Sequence, residues 1–368
     1  MFPERAYGLL WVLAKDLHKT QGRTLVAICG SFVRCGRARS FEVARQLARR
    51  AGTRLKSALG RYYRWVGQSA LDPAKVWSKL AGRLLVAAGR RPVVAVDWTE
   101  WHSGLRVLAA GVCLGKRAIP VLARALVIAT IRRSQNAFED AFLNQLRALS
   151  PLMNRAVLVF DRGFRRVSWI RQLQYLNQPF VLRLMGKVHV TLKEYQGLLS
   201  TYPLRPGGWV DLGTVQLRQR HPVRVRVVGV WAAHQKEVWW LATSLTSHVK
   251  DVVCCYDRRM TVEEMFRDSK GYRYGMQLFW TRFARPEQLD RLFLLAGIAI
   301  AIWTAAGALT VQADPSAALS SRTRGPRRSL LNIGRLEPEF IVRLIGSTWR
   351  HLISLLLPAK ARTFSWIS

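Results

Sequence analysis

The segment VVAVDWTEW, residues 93–101, decides how the middle of the chain folds. Its first four residues are apolar and predict a short buried β-strand, and Pro92 marks the entry to that strand. Asp97 stands at the strand's predicted end. A carboxylate in this position is costly unless it binds a partner or caps the next turn. Asp97 is therefore the first candidate functional residue.

The stretches that follow have the patterns of further strands and helices. In order they are a strand at 105–114, a strand at 118–128, a helix that Ser134 caps and that ends near 149, a strand at 156–160, a helix at 165–176 and a strand at 180–185. The Gly115-Lys116 turn predicts an antiparallel meander of the first three strands. Three strands, a helix, a strand, a helix and a strand is the order of the ribonuclease H-like fold, in which the first and fourth strands are neighbours. We therefore expect an α/β fold with a mixed sheet flanked by helices.

A second acid follows the fourth predicted strand. The string VLVFDRGF, residues 157–164, places Asp161 at the end of that strand. Because the first and fourth strands are neighbours in the expected fold, Asp97 and Asp161 should lie side by side. Each aspartate alone could simply cap a turn, but two of them in this order favour a site.

The segment YDRRMTVEEMFRDSK, residues 256–270, predicts a helix with its functional groups on one face. At about 100° per residue, Tyr256, Arg259, Glu263 and Lys270 fall within about 60° of one another, whereas Glu264 points about 80° to the other side of the tyrosine. One carboxylate beside two cations and a phenol would suit a metal ion flanked by phosphates. A salt-bridged, solvent-facing helix is the alternative reading of the same pattern.

The spacing of these four residues also matches a known motif. The order Tyr, two residues, Arg, three residues, Glu, six residues, Lys resembles the signature of DDE transposases from insertion-sequence family four, the group of bacterial transposons five and ten. The strings VDWTEW and FDRGF resemble the segments that hold the two aspartates of that group. The resemblance implies that Asp97, Asp161 and Glu263 are the catalytic, metal-binding acids. Glu100 and Glu139 lie outside the matching positions and are not assigned to the site.

The resemblance also implies DNA contacts around the acids. Tyr256, Arg259 and Lys270 would hold phosphates beside the cleavage point, and Arg162 follows the second aspartate in its matching string. Aromatic and basic residues beyond the motif would extend the DNA surface on the same side. They are Tyr272, Arg273, Tyr274, Trp280, Arg282 and Arg285.

A β-rich segment separates the core strands from this motif. Alternating runs at 209–217, 223–231 and 237–244, divided by turn residues, predict three strands. In the resembling group an insertion lies here, and one of its tryptophans stacks on a base flipped out of a DNA hairpin; Trp239 matches that position best. Alternatively, Trp239 or Trp240 fills the core of the sheet, because adjacent strand residues point to opposite faces.

Residues 1–90 predict a helical DNA-binding region. Apolar residues recur at helical spacing over 2–19, 40–50, 54–66 and 74–88. Ser40 and Thr53 are candidate N-caps of the second and third of these helices. Two helices joined by the Ala51-Gly52-Thr53 turn would form a helix-turn-helix-like motif that recognises DNA sequence. The alternative is a basic helical bundle that contacts only the phosphates. The candidate DNA contacts in this pair are Arg45, Arg49, Arg54 and Lys56.

The charge of the chain predicts an anionic partner. The 368 residues include 58 Lys and Arg against 22 Asp and Glu, for a net charge of +36. These charges are spread along the whole sequence, which favours nucleic acid over a membrane surface. The five cysteines have no zinc-site or redox spacing. No signal-peptide core stands near the N-terminus, so we expect a cytoplasmic, nucleoid-associated protein of a bacterium.

The C-terminal part predicts a core helix and a basic linker. Residues 292–309 carry no charge and are long enough for a marginal membrane span, but frequent Ala and Gly favour a helix packed under the sheet. Residues 320–329 predict a basic linker, and 338–357 a final helix that packs on the chain or on a partner subunit. The predicted regions are the helical DNA-binding region at 1–90, the catalytic core at 91–186 and 247–312, the β-rich insertion at 187–246, and the linker with its helix at 313–368.

Three converging carboxylates predict a site for two divalent ions. Mg²⁺ is favoured because every ligand is an oxygen, and Mn²⁺ could replace it. With the resemblance, this predicts a transposase that cuts DNA at transposon terminal inverted repeats, through hairpin ends, and joins them to target DNA as a homodimer. Two alternatives are a ribonuclease H-like nuclease, which would not need the β-rich insertion, and a catalytically silent DNA-binding derivative, which would have lost an acid.

Overall fold

The computed structural model describes residues 7–67, 72–102, 104–218, 222–233, 235–272, 275–283, 285–318 and 329–356. Helices alone form the N-terminal part, and they are α1 (Gly8–Ala14), α2 (Lys19–Cys35), α3 (Ser40–Ala51), α4 (Leu55–Gly67) and α5 (Pro73–Ala87). The helix predicted at 2–19 ends early, at Ala14, and its first five residues lie outside the described part of the chain. Sequence analysis missed α2, because its second half is buried all round and shows no amphipathic period.

Within the described residues, ten strands form one mixed sheet. They are β1 (Val93–Glu100), β2 (Leu105–Leu114), β3 (Arg117–Val127), β4 (Val157–Phe160), β5 (Phe180–Leu184), β6 (His189–Thr191), β7 (Gln196–Leu198), β8 (Trp209–Leu217), β9 (Val223–Val230) and β10 (Trp239–Thr243). Their order across the sheet is β3-β2-β1-β4-β5-β10-β9-β8-β6-β7. The β1–β4 and β4–β5 pairs are parallel, and the β1-β2-β3 meander is antiparallel. The expected mixed sheet, with the first and fourth strands as neighbours, is therefore present.

The first strand is longer than predicted. Its pairing with β4 ends where Val96 lies opposite Phe160, but its pairing with β2 continues to Glu100. Asp97 therefore lies inside β1, opposite Ala109 of β2, and not at the strand's end. The prediction was wrong because the longer neighbour, β2, keeps β1 extended after β4 has ended.

The β-rich segment continues the same sheet. Its three predicted strands are β8, β9 and β10, and β10 pairs antiparallel with β5. The additional strands β6 and β7 have three residues each, too few for a period-two pattern to be recognised. Strand β5 and the β-rich segment are thus joined through continuous backbone hydrogen bonding.

The remaining helices flank the sheet. They are α6 (Ile128–Ala148), α7 (Val167–Tyr175), α8 (Val249–Asp257), α9 (Met260–Lys270), α10 (Pro286–Ala313), α11 (Leu330–Arg335), α12 (Pro338–Ile345) and α13 (Trp349–Leu356). Three predicted helices are corrected. Helix α6 begins directly after β3 and before Ser134, the segment 256–270 is divided between α8 and α9, and the segment 338–357 is divided between α12 and α13. The final residue of that last segment, and the linker at 320–328, lie outside the described residues.

Helix α10 is the central core helix. It is long and apolar enough to cross a membrane, yet 94% of its most apolar window is buried inside the protein. Its two buried charges are paired: Asp290 accepts hydrogen bonds from the amide of Ala125 and from Arg124, and Arg291 donates to the carbonyl of Val66. The helix thus connects the N-terminal helices to the sheet, as expected for a core helix.

Candidate active site

The two aspartates lie beside each other on neighbouring parallel segments of the chain. Val96 and Phe160 are paired residues, and Asp97, within β1, and Asp161, directly after β4, each follow one of them. Burial raises the pKa of the Asp97 carboxyl to about 6, the Arg259 charge opposes that rise, and the charges of Asp161 and Glu263 add to it. All three expected acids therefore interact electrostatically in one place.

Arg259 lies in the turn between α8 and α9 and bridges two of these acids. Its Nη1 donates to Oδ2 of Asp97 at 2.9 Å, and its Nη2 donates to Oε1 of Glu263 at 2.8 Å. The guanidinium is buried, and an arginine buried without partners would be strongly destabilising. The two carboxylates therefore stabilise Arg259, and Arg259 holds them together.

The predicted single helical stripe is wrong, because the chain turns at Arg258 and Arg259. Tyr256 belongs to α8 and is buried, with its ring edge-on to Trp239 at 5.1 Å between centroids. Burial raises the pKa of its hydroxyl, and the positive charges of Arg259 and Arg183 oppose that rise. The tyrosine therefore lies beside the charged groups of the site and packs on Trp239.

The two adjacent glutamates face different surroundings. Glu263 pairs with Arg259, whereas Glu264 accepts a 3.0 Å hydrogen bond from Arg117 of β3 and pairs with Arg267 on its own helix. The expected distinction between them is therefore present in the geometry. Asp268 also pairs with Arg117, so this second set of charges joins α9 to the edge strand of the sheet.

Lys270 ties the far end of α9 to β1. Its ammonium donates to the hydroxyl of Thr99 and the carbonyl of Glu100, and it lies 5.4 Å from the centroid of the Trp101 ring. Burial lowers the pKa of the lysine. Arg259, directly before α9, and Lys270, at its end, thus fix both ends of this helix against the strand that carries Asp97.

Trp239 faces the site and Trp240 fills the core. Trp239 is partly buried, and the guanidinium of Arg183 lies 5.7 Å from its ring centroid. Trp240 is buried on the opposite face, as the alternation of strand residues requires. Arg183 was missed by sequence analysis, although a single cation in the apolar strand FVLRL was a signal for it. It donates to Glu237, which also pairs with the predicted DNA contact Arg162 at 3.7 Å.

The other sequence candidates lie apart from these acids. Glu139 is buried and accepts hydrogen bonds from the Trp98 indole at 3.0 Å and from Gln135 at 2.9 Å, which is a structural role. In the N-terminal pair, Gly52 in the left-handed conformation joins α3 to α4. Ser40 is the first residue of α3 and not its cap, a position that Arg39 occupies. The basic side chains Arg45, Arg49, Arg54 and Lys56 are all exposed on this pair.

The donor chemistry fits a hard divalent cation. Among the described residues, no three His, Cys, Asp or Glu side chains are close enough together to form a metal-binding group. The Arg259 guanidinium lies between Asp97 and Glu263. The three acids nevertheless offer only oxygen ligands, the set that Mg²⁺ prefers. The fit therefore requires Arg259 to move from at least one carboxylate.

A mixed sheet flanked by helices, with acids directly after the last paired residues of two neighbouring parallel strands, defines the class: it is the arrangement expected of a ribonuclease H-like nucleic-acid enzyme. The family model described as "Transposase DDE domain" matches residues 88–296, more than half of the chain. The chain belongs to the DDE transposase family. Membership implies an enzyme that binds DNA and uses divalent metal ions. A search of curated protein sequences finds no match.

Proposed function

We propose that this transposase cuts and joins DNA with a metal site formed by Asp97, Asp161 and Glu263. The observation that carries the proposal is the register of β1 and β4, which sets the two aspartates next to each other. Glu263 reaches the same place through its shared partner Arg259. The match of the Tyr-Arg-Glu-Lys spacing to insertion-sequence family four supports the assignment to that group.

The bound ions, two Mg²⁺ or in their place Mn²⁺, would supply an activated water or 3′-hydroxyl and stabilise the leaving oxygen during in-line displacement at phosphorus. The chain's own groups position the DNA. Arg259, which bonds to Asp97, and Lys270, which bonds to Thr99 on the same strand, would hold phosphates. The Tyr256 ring packs edge-on against Trp239. Trp239 presents a ring for an extruded base, and Arg183 lies over that ring.

The reaction series follows from the group that the motif resembles. A strand is nicked at the transposon end, the freed 3′-hydroxyl attacks the opposite strand to form a hairpin, the hairpin is opened, and the end is joined to target DNA. The exposed basic residues of α3 and α4 would bind terminal inverted repeats. We propose a homodimer on DNA, a cytoplasmic, nucleoid-associated location in a bacterium, and a division in which 1–90 binds DNA, 187–246 is the insertion, and 313–368 carries the linker.

The test follows the products made from end-labelled DNA that carries the element's own ends, in the presence of Mg²⁺. The wild-type protein should yield nicks, hairpins and joined products, and Asp161→Asn should yield none of these. Asp251→Asn, which changes an exposed acid on α8, is the matched control and should behave like the wild type. Nicks without joined ends would indicate a nuclease. DNA binding without any metal-dependent cleavage would indicate a silent derivative.

A further inference from the structure

Two large aromatic side chains stand together in solvent beyond the end of α9. Tyr272 is 55% exposed and Trp280 is 60% exposed, and their ring centroids are 5.3 Å apart at an interplanar angle of 67°. Exposed aromatic surface of this kind is unfavourable in water and commonly marks a binding surface. The pair is separate from Trp239, which lies on β10.

The backbone around this pair is fixed by hydrogen bonds. Gln277 is buried in the left-handed conformation, and its side-chain amide donates to the carbonyl of Tyr272 at 2.7 Å. The amide of Trp280 donates to the carbonyl of Gln277 at 3.0 Å. His102 bonds to the carbonyl of Thr281, also at 3.0 Å. These hydrogen bonds fix the backbone at Tyr272 and Trp280, which reduces the ordering that a bound ligand must impose.

The N-terminal helical region contributes a cation to the same place. The amide of Ala38 donates to the carbonyl of Met276 at 2.7 Å, which sets the next residue, Arg39, beside the aromatic pair. The guanidinium of Arg39 lies 5.9 Å from the Tyr272 ring centroid, and its carboxylate partner is Glu42 at 4.0 Å. A pair this long and this exposed is weak, so Arg39 can exchange its partner for a phosphate.

Contacts through Phe279 connect the aromatic pair to the active site. The Lys270 ammonium lies 5.9 Å from the Phe279 ring centroid, and that ring lies 6.4 Å from Trp280. Lys270 is itself seven residues after Glu263 on α9, which is about 10 Å along a helix. DNA bound at the acids would therefore pass close to the two exposed rings.

We propose that Tyr272, Trp280 and Arg39 form a binding site for an unpaired nucleotide next to the active site. The base stacks on the aromatic rings, and the phosphate pairs with Arg39. Unpaired nucleic acid is favoured because a duplex hides the base faces and exposes only base edges and backbone. The strongly positive chain, with exposed Arg282 and Arg285 nearby, favours a polyanion over a protein partner. The choice of DNA as the ligand rests on the proposed function.

The test measures binding of fluorescent DNA in metal-free buffer, where no cleavage occurs. A blunt duplex is compared with the same duplex carrying a single-stranded thymine tail. Trp280→Ala should weaken binding of the tailed DNA about 5- to 140-fold, the range expected from losing one stacked base. Binding of the blunt duplex should change less than about twofold. Tyr272→Ala should also weaken binding of the tailed DNA. Tyr272→Phe, which keeps the ring, should retain most of the wild-type affinity.

Tyr175→Ala is the matched control. Tyr175 is 86% exposed at the end of α7, shortly before β5 begins. Because β4 and β5 are parallel, it lies near their first residues, whereas Asp161 follows the last residue of β4. This variant should bind both DNAs like the wild type. Equal losses of Trp280→Ala on tailed and blunt DNA would overturn the proposal in favour of a duplex contact. No loss on either DNA would also overturn it, and reduced self-association of the same variant would then assign the rings to a subunit interface.

The outcomes also separate this proposal from the proposed function. If the wild-type protein binds neither DNA, the DNA-cutting function itself fails. If it cuts and joins DNA while Trp280→Ala binds tailed DNA normally, only the nucleotide site is refuted.

Discussion

The Arg259 guanidinium donates a 2.9 Å hydrogen bond to Asp97, from a turn that follows α8 to an interior strand of the sheet. The same guanidinium holds Glu263 at 2.8 Å. One cation thus pairs with two of the three acids that we propose as the metal site. We expect Arg259 to exchange a carboxylate for a DNA phosphate when a metal ion binds.

Arg259→Ala should increase the stabilisation by Mg²⁺. Without the guanidinium, the acids repel one another, and the partly buried Asp97 carboxylate loses its ion-pair partner. The variant should therefore melt at a lower temperature than the wild type in metal-free buffer and gain more from added Mg²⁺. Arg258→Ala changes the exposed neighbour and should leave both values unchanged. Thermal unfolding with and without Mg²⁺ measures the gain in melting temperature for each protein. Equal gains in the wild type and both variants would refute the exchange of Arg259 for a metal ion at the acids.

Metal affinity should rise with pH up to about the pKa of Asp97. Burial raises that pKa to about 6, from an ordinary value of 3.8. A protonated carboxyl is a poor ligand, so Mn²⁺ binding should weaken below this pH and level off above it. The stability of the metal-free protein should change in the opposite direction. The folded state favours the neutral Asp97 carboxyl, because burial disfavours its charged form. Its contribution to the free energy of unfolding is therefore lost as the pH rises from about 4 to about 6.

The measurement is Mn²⁺ binding by electron paramagnetic resonance across this pH range. Asp97→Asn should bind Mn²⁺ weakly at every pH and remove the step. A step of the same size in that variant would show that another group titrates.

The two adjacent tryptophans should respond differently to truncation. Trp240 is buried, its ring lies against Gly229 and is edge-on to Tyr202, and removing such a side chain typically costs about 3–5 kcal/mol. Trp239→Ala should cost far less stability and should instead impair hairpin formation. Urea unfolding and hairpin yield on labelled DNA measure the two effects. A stability loss from Trp239→Ala as large as that from Trp240→Ala would assign both rings to the core.

A glycine contact joins α10 to α11. A Cβ added at Gly307 would collide with the backbone of Leu330, which cannot move like a side chain. Gly307→Ala should therefore lower the free energy of unfolding by about 1–3 kcal/mol. Gly60→Ala is the control: its Cβ would meet only the flexible Arg64 side chain at 3.5 Å in helix α4, so it should be neutral or stabilising by up to about 1 kcal/mol. Chemical denaturation distinguishes the two, and equal effects would contradict the packing.

The strands and two aspartates were predictable because short apolar runs and turns are local signals. The adjacency of β1 and β4 follows from the order of elements, and their observed register places Asp97 and Asp161 beside each other as expected. The extension of β1 to Glu100 was not predictable, because it depends on the length of β2. The continuation of the sheet from β5 to β10 is likewise a long-range pairing that local pattern does not encode.

The turn between α8 and α9 could not be predicted from the sequence either. The segment 256–263 contains no Gly or Pro, so periodicity alone predicts an unbroken helix. Tertiary contacts decide otherwise: Arg259 bonds to Asp97 and Glu263, and Tyr256 packs on Trp239. The spacing of the motif was therefore informative about which residues meet, although the single-helix geometry derived from it was wrong.

The most direct test of the metal-binding acids is cleavage of labelled transposon-end DNA by Glu263→Ala and Glu264→Ala in the presence of Mg²⁺. The two residues are adjacent, but Glu263 pairs with Arg259 at the acids and Glu264 pairs with Arg117 at the sheet edge. We expect Glu263→Ala to abolish cleavage while keeping DNA binding, and Glu264→Ala to retain cleavage. Cleavage by Glu263→Ala at the wild-type rate would contradict the assignment of Asp97, Asp161 and Glu263 as the metal site.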